Sequence, residues 1–254
     1  MKKILFIGLL AVLMMACKKD YIIGGTRNET NKVNMTTYEF LKSQEITQSV
    51  ARLFERANLI NEINGDVTLI SPNQYSVNRY LRRINNRRLR LDPRATLWTV
   101  EDIPVEDLQQ LKMYVVRGKY TSNELNSEGI KLATLNGTDS VLLALRESTA
   151  EPAAAWDGSN VPGAGYQYPN FMQTIPKKVF VHFKRGANWE TTGEQRAALG
   201  YDNPECDQVY QMYLSDVETT TGVVHILYVG NYNFNEHYYY HTLFFFGTRA
   251  DDLL

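Results

Sequence analysis

The hydrophobic pattern of the chain changes its period about halfway along. Between residues 37 and 112, apolar residues recur every three or four positions, which predicts amphipathic helices. A break at residues 43–47 divides the first helical segment, a second covers residues 73–84, and Pro104 suits the first turn of a third. From residue 177 onward, runs rich in β-branched and aromatic side chains predict strands at 179–183, 209–217, 223–229 and 238–246.

Shorter strands are also predicted within the first part of the chain. Apolar runs at residues 67–71 and 114–116 end at Pro72 and Gly118. Residues 130–135 and 140–145 flank Asn136-Gly137, a dipeptide that favours the tight turn of a β-hairpin because both of its positions tolerate positive φ. Helices followed by strands predict an α+β fold, in which helices cover one side or end of a sheet.

Residues 148–176 have several Gly- and Pro-containing clusters and no hydrophobic period. We expect a long exposed insertion, and loops of this length in compact domains are often functional. The insertion carries four rings that make it a candidate for binding sugars or protein ligands. The alternative, equally supported, is that the rings pin the loop to the sheet. They belong to Trp156, Tyr166, Tyr168 and Phe171.

The N-terminus has the order of a bacterial signal peptide. Met1-Lys2-Lys3 is followed by an apolar stretch up to Ala16, which is shorter than the roughly 20 residues of a membrane-spanning helix. Cys17 follows at once, and the arrangement resembles the lipobox at which lipoproteins are diacylated. We therefore predict a signal peptide at residues 1–16, a lipidated Cys17 with a polar tether at residues 17–35, and one domain at residues 36–254. The alternative is an ordinary secreted protein with a chance Cys at the cleavage point.

Charge and cysteine content narrow the class of protein further. The formal net charge of −1 gives no general attraction to nucleic acid, which we do not expect as a partner. After cleavage and lipidation, Cys206 is left as the only free thiol, so no disulfide can form within the chain. Its neighbours Glu205 and Asp207 disfavour the thiolate, which argues against a nucleophile.

One segment of the chain is strongly basic. Seven arginines lie between residues 79 and 94, with Asp92 as the only acid among them. Arg79, Arg82 and Arg83 share one side of the predicted helix and are candidates for binding an anion such as an acidic polysaccharide or a lipid headgroup. The favoured alternative is a solvated helix face whose charges are paired with acids elsewhere.

Signatures of catalysis are lacking in the sequence. It contains no Gly-x-Ser-x-Gly, no His-Glu-x-x-His and no glycine loop that cradles phosphates, so we expect no enzyme, no catalytic residue and no cofactor. His237 and His241, with Glu236 beside them, could form a metal pair. Because no third ligand follows at a recognisable spacing, we favour a half-exposed strand with two polar side chains and expect no metal.

Four segments resemble those of the fasciclin domain, an extracellular α/β-sandwich module. Residues 66–74 (Asp-Val-Thr-Leu-Ile-Ser-Pro-Asn-Gln) and 222–227 (Gly-Val-Val-His-Ile-Leu) are similar to its first and second boxes. Tyr114-Val115-Val116 falls where the family has Tyr-His-Val-Val-Pro-Gly, and residues 134–137 match its Thr-Leu-Asn-Gly. The matches occur in the family's order between residues 36 and 229.

The resemblance implies a fasciclin-like β-sandwich or sheet with N-terminal helices and a hydrogen-bonded core His225, to which this chain adds a long loop insertion and an extra C-terminal strand. The insertion, which makes the domain longer than a typical member, makes the chain similar to fasciclin-like lipoproteins of Bacteroidota. Val115 replaces the family's His and Arg117 its Pro, so the resemblance gives no basis for expecting the integrin-type adhesion of animal members.

We therefore expect a lipid-anchored binding or adhesion protein of the cell envelope, on either face of the outer membrane, that recognises a polysaccharide or a protein through its loops. The alternative is a structural accessory subunit of an outer-membrane nutrient-uptake complex with no soluble ligand.

Overall fold

The first part of the domain is helical, as its periodicity predicts. The computed structural model describes residues 31–147, 177–200, 203–228 and 241–245. Helix α1 (Thr37–Ser43) begins at a capping box, in which the Thr36 hydroxyl accepts from Glu39 N and the Glu39 carboxylate accepts from Thr36 N. Three further helices follow, with a 3₁₀ turn at the predicted break between α1 and α2. They are α2 (Gln48–Arg56), α3 (Ile60–Ile63) and α4 (Gln74–Leu91).

Helix α4 is longer than its hydrophobic pattern predicts, since it continues through the basic segment to Leu91 instead of ending at Ile84. Arginine is a good helix former, and no Gly or Pro interrupts the segment before Pro93. The residue before a proline is restricted to extended backbone, and Asp92 has φ −141° and ψ 104°. Pro93 therefore sets the end of the helix.

Two short helices complete the set in the described residues. Helix α5 (Val105–Leu108) starts directly after Pro104 and runs into a 3₁₀ segment, Gln109–Tyr114. Helix α6 (Gly193–Leu199) begins at a capping box made by Thr192 and Gln195, and the sequence patterns gave no prediction of it.

Seven strands form one sheet that curls almost to closure. Its order is β2-β1-β7-β6-β5-β4-β3, and all neighbours are antiparallel except β1 and β7. The two ends meet where Val116 and Thr134 form an isolated bridge and Leu135 N donates to Val115 O over 2.8 Å. The strands are β1 (Val67–Ser71), β2 (Val115–Arg117), β3 (Ile130–Ala133), β4 (Ser140–Glu147), β5 (Lys177–Phe183), β6 (Gln208–Glu218) and β7 (Val223–Leu227).

The hydrophobic core joins the helices to one face of the sheet. Leu53 and Phe54 of α2 are fully buried, as are Leu69 of β1, Val181 of β5 and Val224 of β7. Each buried side chain of this size contributes about 1.5–3 kcal/mol relative to exposure. Helices that precede a sheet and pack on it give an α+β architecture, which confirms the predicted fold class.

Three local predictions need correction. The 130–145 hairpin forms, but Thr134 N donates to Asp139 O, so the loop spans residues 135–138 and only Gly137 has positive φ. The described part of the predicted last strand, residues 241–245, contains a kinked 3₁₀ turn in which Phe244 has φ 58°. Ordered structure starts before residue 36, because Lys32 bridges to Glu218.

Candidate functional site

The insertion at residues 148–176 is mounted at one end of the sheet. It connects β4 to β5, and the last residue before it, Glu147, pairs directly with the first residue after it, Lys177. The register continues without a shift from this pair to Val141 and Phe183. The insertion thus leaves and re-enters a continuous two-stranded ladder at neighbouring positions, and it is the connection of a β-hairpin.

The predicted ligand-binding residues belong to this insertion and lie outside the described residues. These are Trp156, Tyr166, Tyr168 and Phe171. The predicted lipidation site, Cys17, and the possible metal ligands His237 and Glu236 lie outside them as well. Their roles remain predictions from the sequence.

A buried polar contact supports the ladder below the insertion. Arg146 of β4 donates from Nη1 to Nε2 of His182 on β5 over 2.9 Å and from Nε to Ser127 O over 2.9 Å. Arginine cannot accept a hydrogen bond, so Nε2 of His182 is the acceptor and the imidazole is neutral. Burial, aided by the positive charges of Arg146 and Arg196, lowers the pKa of His182 to about 3. The sequence gave no signal for this contact, because the two residues are far apart along the chain.

The three candidate anion-binding arginines on helix α4 differ in solvent exposure. The side chain of Arg83 is buried, Arg79 is half-buried and Arg82 is exposed. Residues at positions i, i+3 and i+4 lie on the same side of a helix, but on α4 one edge of that side faces the core and the other faces the solvent. The three arginines therefore do not form one solvated face.

A cavity of about 230 Å³ opens at the other end of β4 and β5, about 20 Å from the insertion by strand length. Its cationic side chains are already engaged with the backbone: Lys184 Nζ donates to Gly186 O, and Arg185 Nε donates to Pro204 O over 3.4 Å. Asp139 adds a carboxylate to the same wall. This mixture of engaged and opposite charges makes the cavity a poor site for an anion.

Ser76, His241 and Tyr114 form a buried hydrogen-bonded chain that has the residue types of a catalytic site. Tyr114 Oη lies 3.0 Å from His241 Nε2, and His241 Nδ1 lies 2.9 Å from Ser76 Oγ. Tyr114 Oη also accepts from Phe244 N over 3.0 Å, so its own proton is available for His241 Nε2. In that arrangement His241 Nδ1 donates to Ser76, and the imidazole cannot take the serine proton.

The environment of this chain also opposes catalysis. Burial lowers the pKa of His241 to about 3 and raises that of Tyr114 well above its usual range. The side chains of Ser76, His241 and Tyr114 are all buried, so a substrate has no access to them. Their geometry fastens residues 241–245 to α4 and to the Gln109–Tyr114 segment. The prediction that His241 is half-exposed on a strand is therefore wrong.

His225, in the segment that resembles the second fasciclin box, is a hydrogen-bonded core histidine as predicted. Its Nε2 donates to Tyr120 O over 2.8 Å, and its Nδ1 accepts from Asp216 N over 3.2 Å. Asp216 has φ 61° at an irregularity of β6, and its carboxylate accepts from Ser122 N over 2.7 Å. Burial lowers the pKa of His225, which keeps the ring neutral.

Cys206 is buried, and its pKa is raised to about 11, first by burial and then by the charges of Glu190 and Asp207. The prediction that its thiolate is disfavoured is confirmed. The contributing carboxylates are Glu190 and Asp207, whereas the sequence pointed to Glu205 and Asp207. Glu190 comes close through the tertiary fold, where its carboxylate accepts from Asp207 N over 3.1 Å.

Two absences hold for the described part of the chain. No group of three or more His, Cys, Asp or Glu side chains is placed there to hold a metal ion. No helix in those ranges is both long and apolar enough to cross a membrane.

Comparison with known proteins gives little beyond the chain's own features. No family model and no curated protein matches it. Among solved structures, it is similar to a FAS1 domain pair from the insect cell adhesion molecule fasciclin I, with 15% identity and a TM-score of 0.39. The match covers 80% of this chain and 51% of the other, so the chain spans about half the length of that protein. What the chain binds has to be inferred from its own residues.

Proposed function

We propose that this protein is a lipid-anchored binding or adhesion protein of the bacterial cell envelope. In this proposal Cys17 carries the lipid, residues 18–31 form the tether, and the domain is a fasciclin-like scaffold. The insertion at residues 148–176 recognises the ligand, a glycan or a protein partner. Its aromatic side chains supply flat surfaces that stack on sugar rings or fill apolar pockets of a protein.

The observation that carries the proposal is the direct pairing of Glu147 with Lys177. A binding loop works best when rigid elements fix its two ends, because less conformational entropy is then lost when the ligand binds. Here both ends continue a regular antiparallel ladder whose inner side chains, such as Val181 and Leu143, are fully buried. The scaffold therefore fixes the two ends of the insertion before the ligand binds, so ordering them takes no free energy from binding.

The arrangement of the two box-like segments supports a fasciclin-like scaffold. They form β1 and β7, which are neighbours and the parallel pair of the sheet, with Leu69 opposite Val224 and Ile70 opposite His225. A parallel pair requires a long connection, so the two segments come together only through the whole fold. Their adjacency makes the sequence resemblance more than a set of isolated matches.

The proposal is tested by binding to a glycan array and by pull-down from envelope extract. The test variant is Trp156→Ala/Tyr166→Ala/Tyr168→Ala. The matched control, Tyr75→Ala/Tyr213→Ala, removes aromatic rings that are exposed elsewhere. We expect the test variant to lose at least tenfold in affinity and the control to bind like the parent chain, since stacking contributes about 0.5–1.5 kcal/mol per ring beyond area burial.

The two classes of ligand give different results. A glycan that binds the parent chain and not the test variant supports carbohydrate recognition. If no glycan binds, but an envelope protein is retained by the parent and lost by the test variant, the insertion docks a protein, as an accessory subunit would. Equal binding by the parent and the test variant contradicts the proposal.

A further inference from the structure

The C-terminal end of α4 presents two leucines to the solvent. Leu91, the last residue of the helix, is 89% exposed, and Leu97, on the segment that follows, is 56% exposed. Exposure of both side chains forfeits burial that each would otherwise gain. A single exposed leucine is ordinary on a protein surface, but two on one short segment give an apolar surface that contact with another surface would cover.

The turn between the two leucines is stabilised by hydrogen bonds. Asp92 N donates to Arg88 O over 2.8 Å, and Ala95 N donates to Asp92 O over 2.9 Å. The Asp92 carboxylate accepts from Arg94 N over 2.9 Å, while Pro93 fixes the backbone between them. The leucines are thus held outward by a hydrogen-bonded turn and are not part of a frayed helix end.

The segment after the turn is clamped back onto α4. Asn85 donates from Nδ2 to Trp98 O over 2.9 Å and accepts from Trp98 N over 2.7 Å. The Arg88 guanidinium lies 5.0 Å from the centre of the Trp98 ring and donates to Thr96 O over 3.1 Å. The helix end and the returning segment together form a hydrogen-bonded unit, which we name the arginine-leucine tip (residues 90–97).

The tip is strongly basic as well as apolar. Helix α4 contains six arginines and no acidic residue. Arg90 and Arg94 are exposed, and the carboxylate of Asp92, which lies between them in the chain, accepts a hydrogen bond inside the turn. Guanidinium groups form paired hydrogen bonds with phosphate oxygens. Exposed leucines beside exposed arginines are the side-chain combination found where proteins rest on anionic lipid surfaces.

We propose that the arginine-leucine tip contacts an anionic lipid surface. Leu91 and Leu97 enter the boundary between headgroups and acyl chains, while Arg90 and Arg94 bind the headgroup phosphates. A second contact of this kind, besides a lipid anchor, would fix the orientation of the domain on the membrane. The inference does not depend on the lipid anchor or on the ligand of the insertion.

The leucines favour a lipid surface over a soluble polyanion. An acidic polysaccharide or a nucleic acid would use the arginines but would gain nothing from two leucines exposed beside them. A protein partner would need a pocket shaped to these side chains, whereas the headgroup region of a bilayer adapts to them. Lipid is therefore the occupant that uses both kinds of side chain.

The test is sedimentation with vesicles, using the full chain with Cys17→Ser so that no attached lipid contributes. Vesicles of pure phosphatidylcholine are compared with vesicles containing about 30% phosphatidylglycerol. The apolar N-terminal stretch is present in every variant, so its effect cancels in comparisons between variants. We expect the chain to bind the anionic vesicles more tightly, and added salt to reduce the difference.

Two variants and one control separate the contributions. Replacing the two arginines is expected to weaken binding to anionic vesicles about 30-fold. Replacing the two leucines is expected to weaken it at least tenfold and to leave heparin binding unchanged. The control removes the same charge elsewhere and is expected to bind within about threefold of the parent. They are Arg90→Gln/Arg94→Gln, Leu91→Ser/Leu97→Ser and the control Lys42→Gln/Arg117→Gln.

Three results would overturn the inference. Equal binding to neutral and anionic vesicles would show that the arginines do not contact headgroups. Full vesicle binding by the leucine variant would show that the leucines do not contact lipid and that the tip is a general polyanion site. If the control loses as much vesicle binding as the arginine variant, the binding depends on net charge alone and not on the tip. Far-UV circular dichroism of each variant verifies that it is folded, and all the substituted side chains are exposed.

Discussion

Three buried histidines make the stability of this fold depend on pH. His182, His225 and His241 are almost wholly buried, and each ring accepts at least one hydrogen bond that its neutral form alone can accept. The pKa of His182 and of His241 is about 3, while an unfolded histidine titrates near 6.5. Protonation therefore favours the unfolded chain throughout the interval between these values.

The stability contributed by these neutral rings is complete above about pH 6.5 and is lost as the pH falls from there toward 3. At pH 5, each of His182 and His241 is expected to lower the free energy of unfolding by about 2 kcal/mol relative to pH 7.5. Urea unfolding of the parent and of His182→Gln at both pH values checks this. The variant should show a pH dependence that is smaller by about 2 kcal/mol, and an unchanged pH dependence would contradict the assignment.

A second prediction at the residue scale concerns the hydroxyl of Tyr114. Tyr114→Phe removes the acceptor of Phe244 N and the donor to His241 Nε2, both in a buried site. We expect a loss of about 1–3 kcal/mol in the free energy of unfolding. Tyr213→Phe is the matched control, because that ring is exposed, and it should change stability by less than about 0.5 kcal/mol. Equal effects of the two changes would contradict the structural role of the buried hydrogen-bonded chain.

Sequence reasoning found some of these residues and missed others for a physical reason. His225 was predicted as a core histidine from the family-like segment in which it lies, and the inert thiol of Cys206 from its charged neighbours. The contacts of His241 with Tyr114 and Ser76 join residues more than a hundred positions apart, so no local pattern announces them. Arg146 and His182 are 36 positions apart, which is also beyond the reach of a local pattern.

At the scale of elements, boundaries follow contacts that local patterns do not contain. The apolar spacing of α4 fades after Ile84, yet the helix continues because Asn85 and Arg88 hold the returning segment at Trp98 and Thr96. Residues 241–245 are rich in ring side chains and favour a strand, but His241 is buried and the half-buried Phe244 packs against the core, with its ring 5.5 Å from that of Tyr80. Tertiary packing overrides propensity at both places.

Two glycines with positive φ give a prediction about the β3–β4 hairpin. A Cβ at Gly129 would overlap Leu142 Cδ2 and lie 2.8 Å from Leu143 O, whereas one at Gly137 would meet nothing within 4 Å. Gly137→Ala is expected to cost about 1 kcal/mol, the strain of positive φ alone, and Gly129→Ala at least about 2 kcal/mol more. Thermal unfolding of both variants checks the difference. Similar costs would mean that the approach of β4 to Gly129 is looser than described.

At the scale of the whole molecule, the change of hydrophobic period was sufficient to predict an α+β fold with helices first. Strand order was beyond that pattern, because the pairing of β1 with β7 depends on closing a loop of about 150 residues. The proposal of a lipid anchor at Cys17 is based on the N-terminal sequence alone.

The proposed lipid anchor gives a prediction at this scale. Cys17→Ser is expected to abolish incorporation of labelled palmitate and to move the protein from the membrane fraction to the soluble fraction of cells, because acyl chains contribute about 0.8 kcal/mol per buried methylene. Cys206→Ser is the control, and it should leave both the labelling and the fractionation unchanged. Continued labelling of the Cys17 variant would contradict the anchor.

The most direct test of the central claim replaces the insertion itself. Because Glu147 and Lys177 are paired, an Asn-Gly dipeptide can join them as a two-residue β-hairpin turn in place of residues 148–176. The measurement is the affinity of the parent and of the shortened chain for the glycan or envelope protein that the parent captures, with urea unfolding to show that both are folded. The account predicts that the shortened chain unfolds within about 1 kcal/mol of the parent and binds at least tenfold more weakly. A shortened chain that folds and still binds with the parent's affinity would show that recognition lies elsewhere in the molecule.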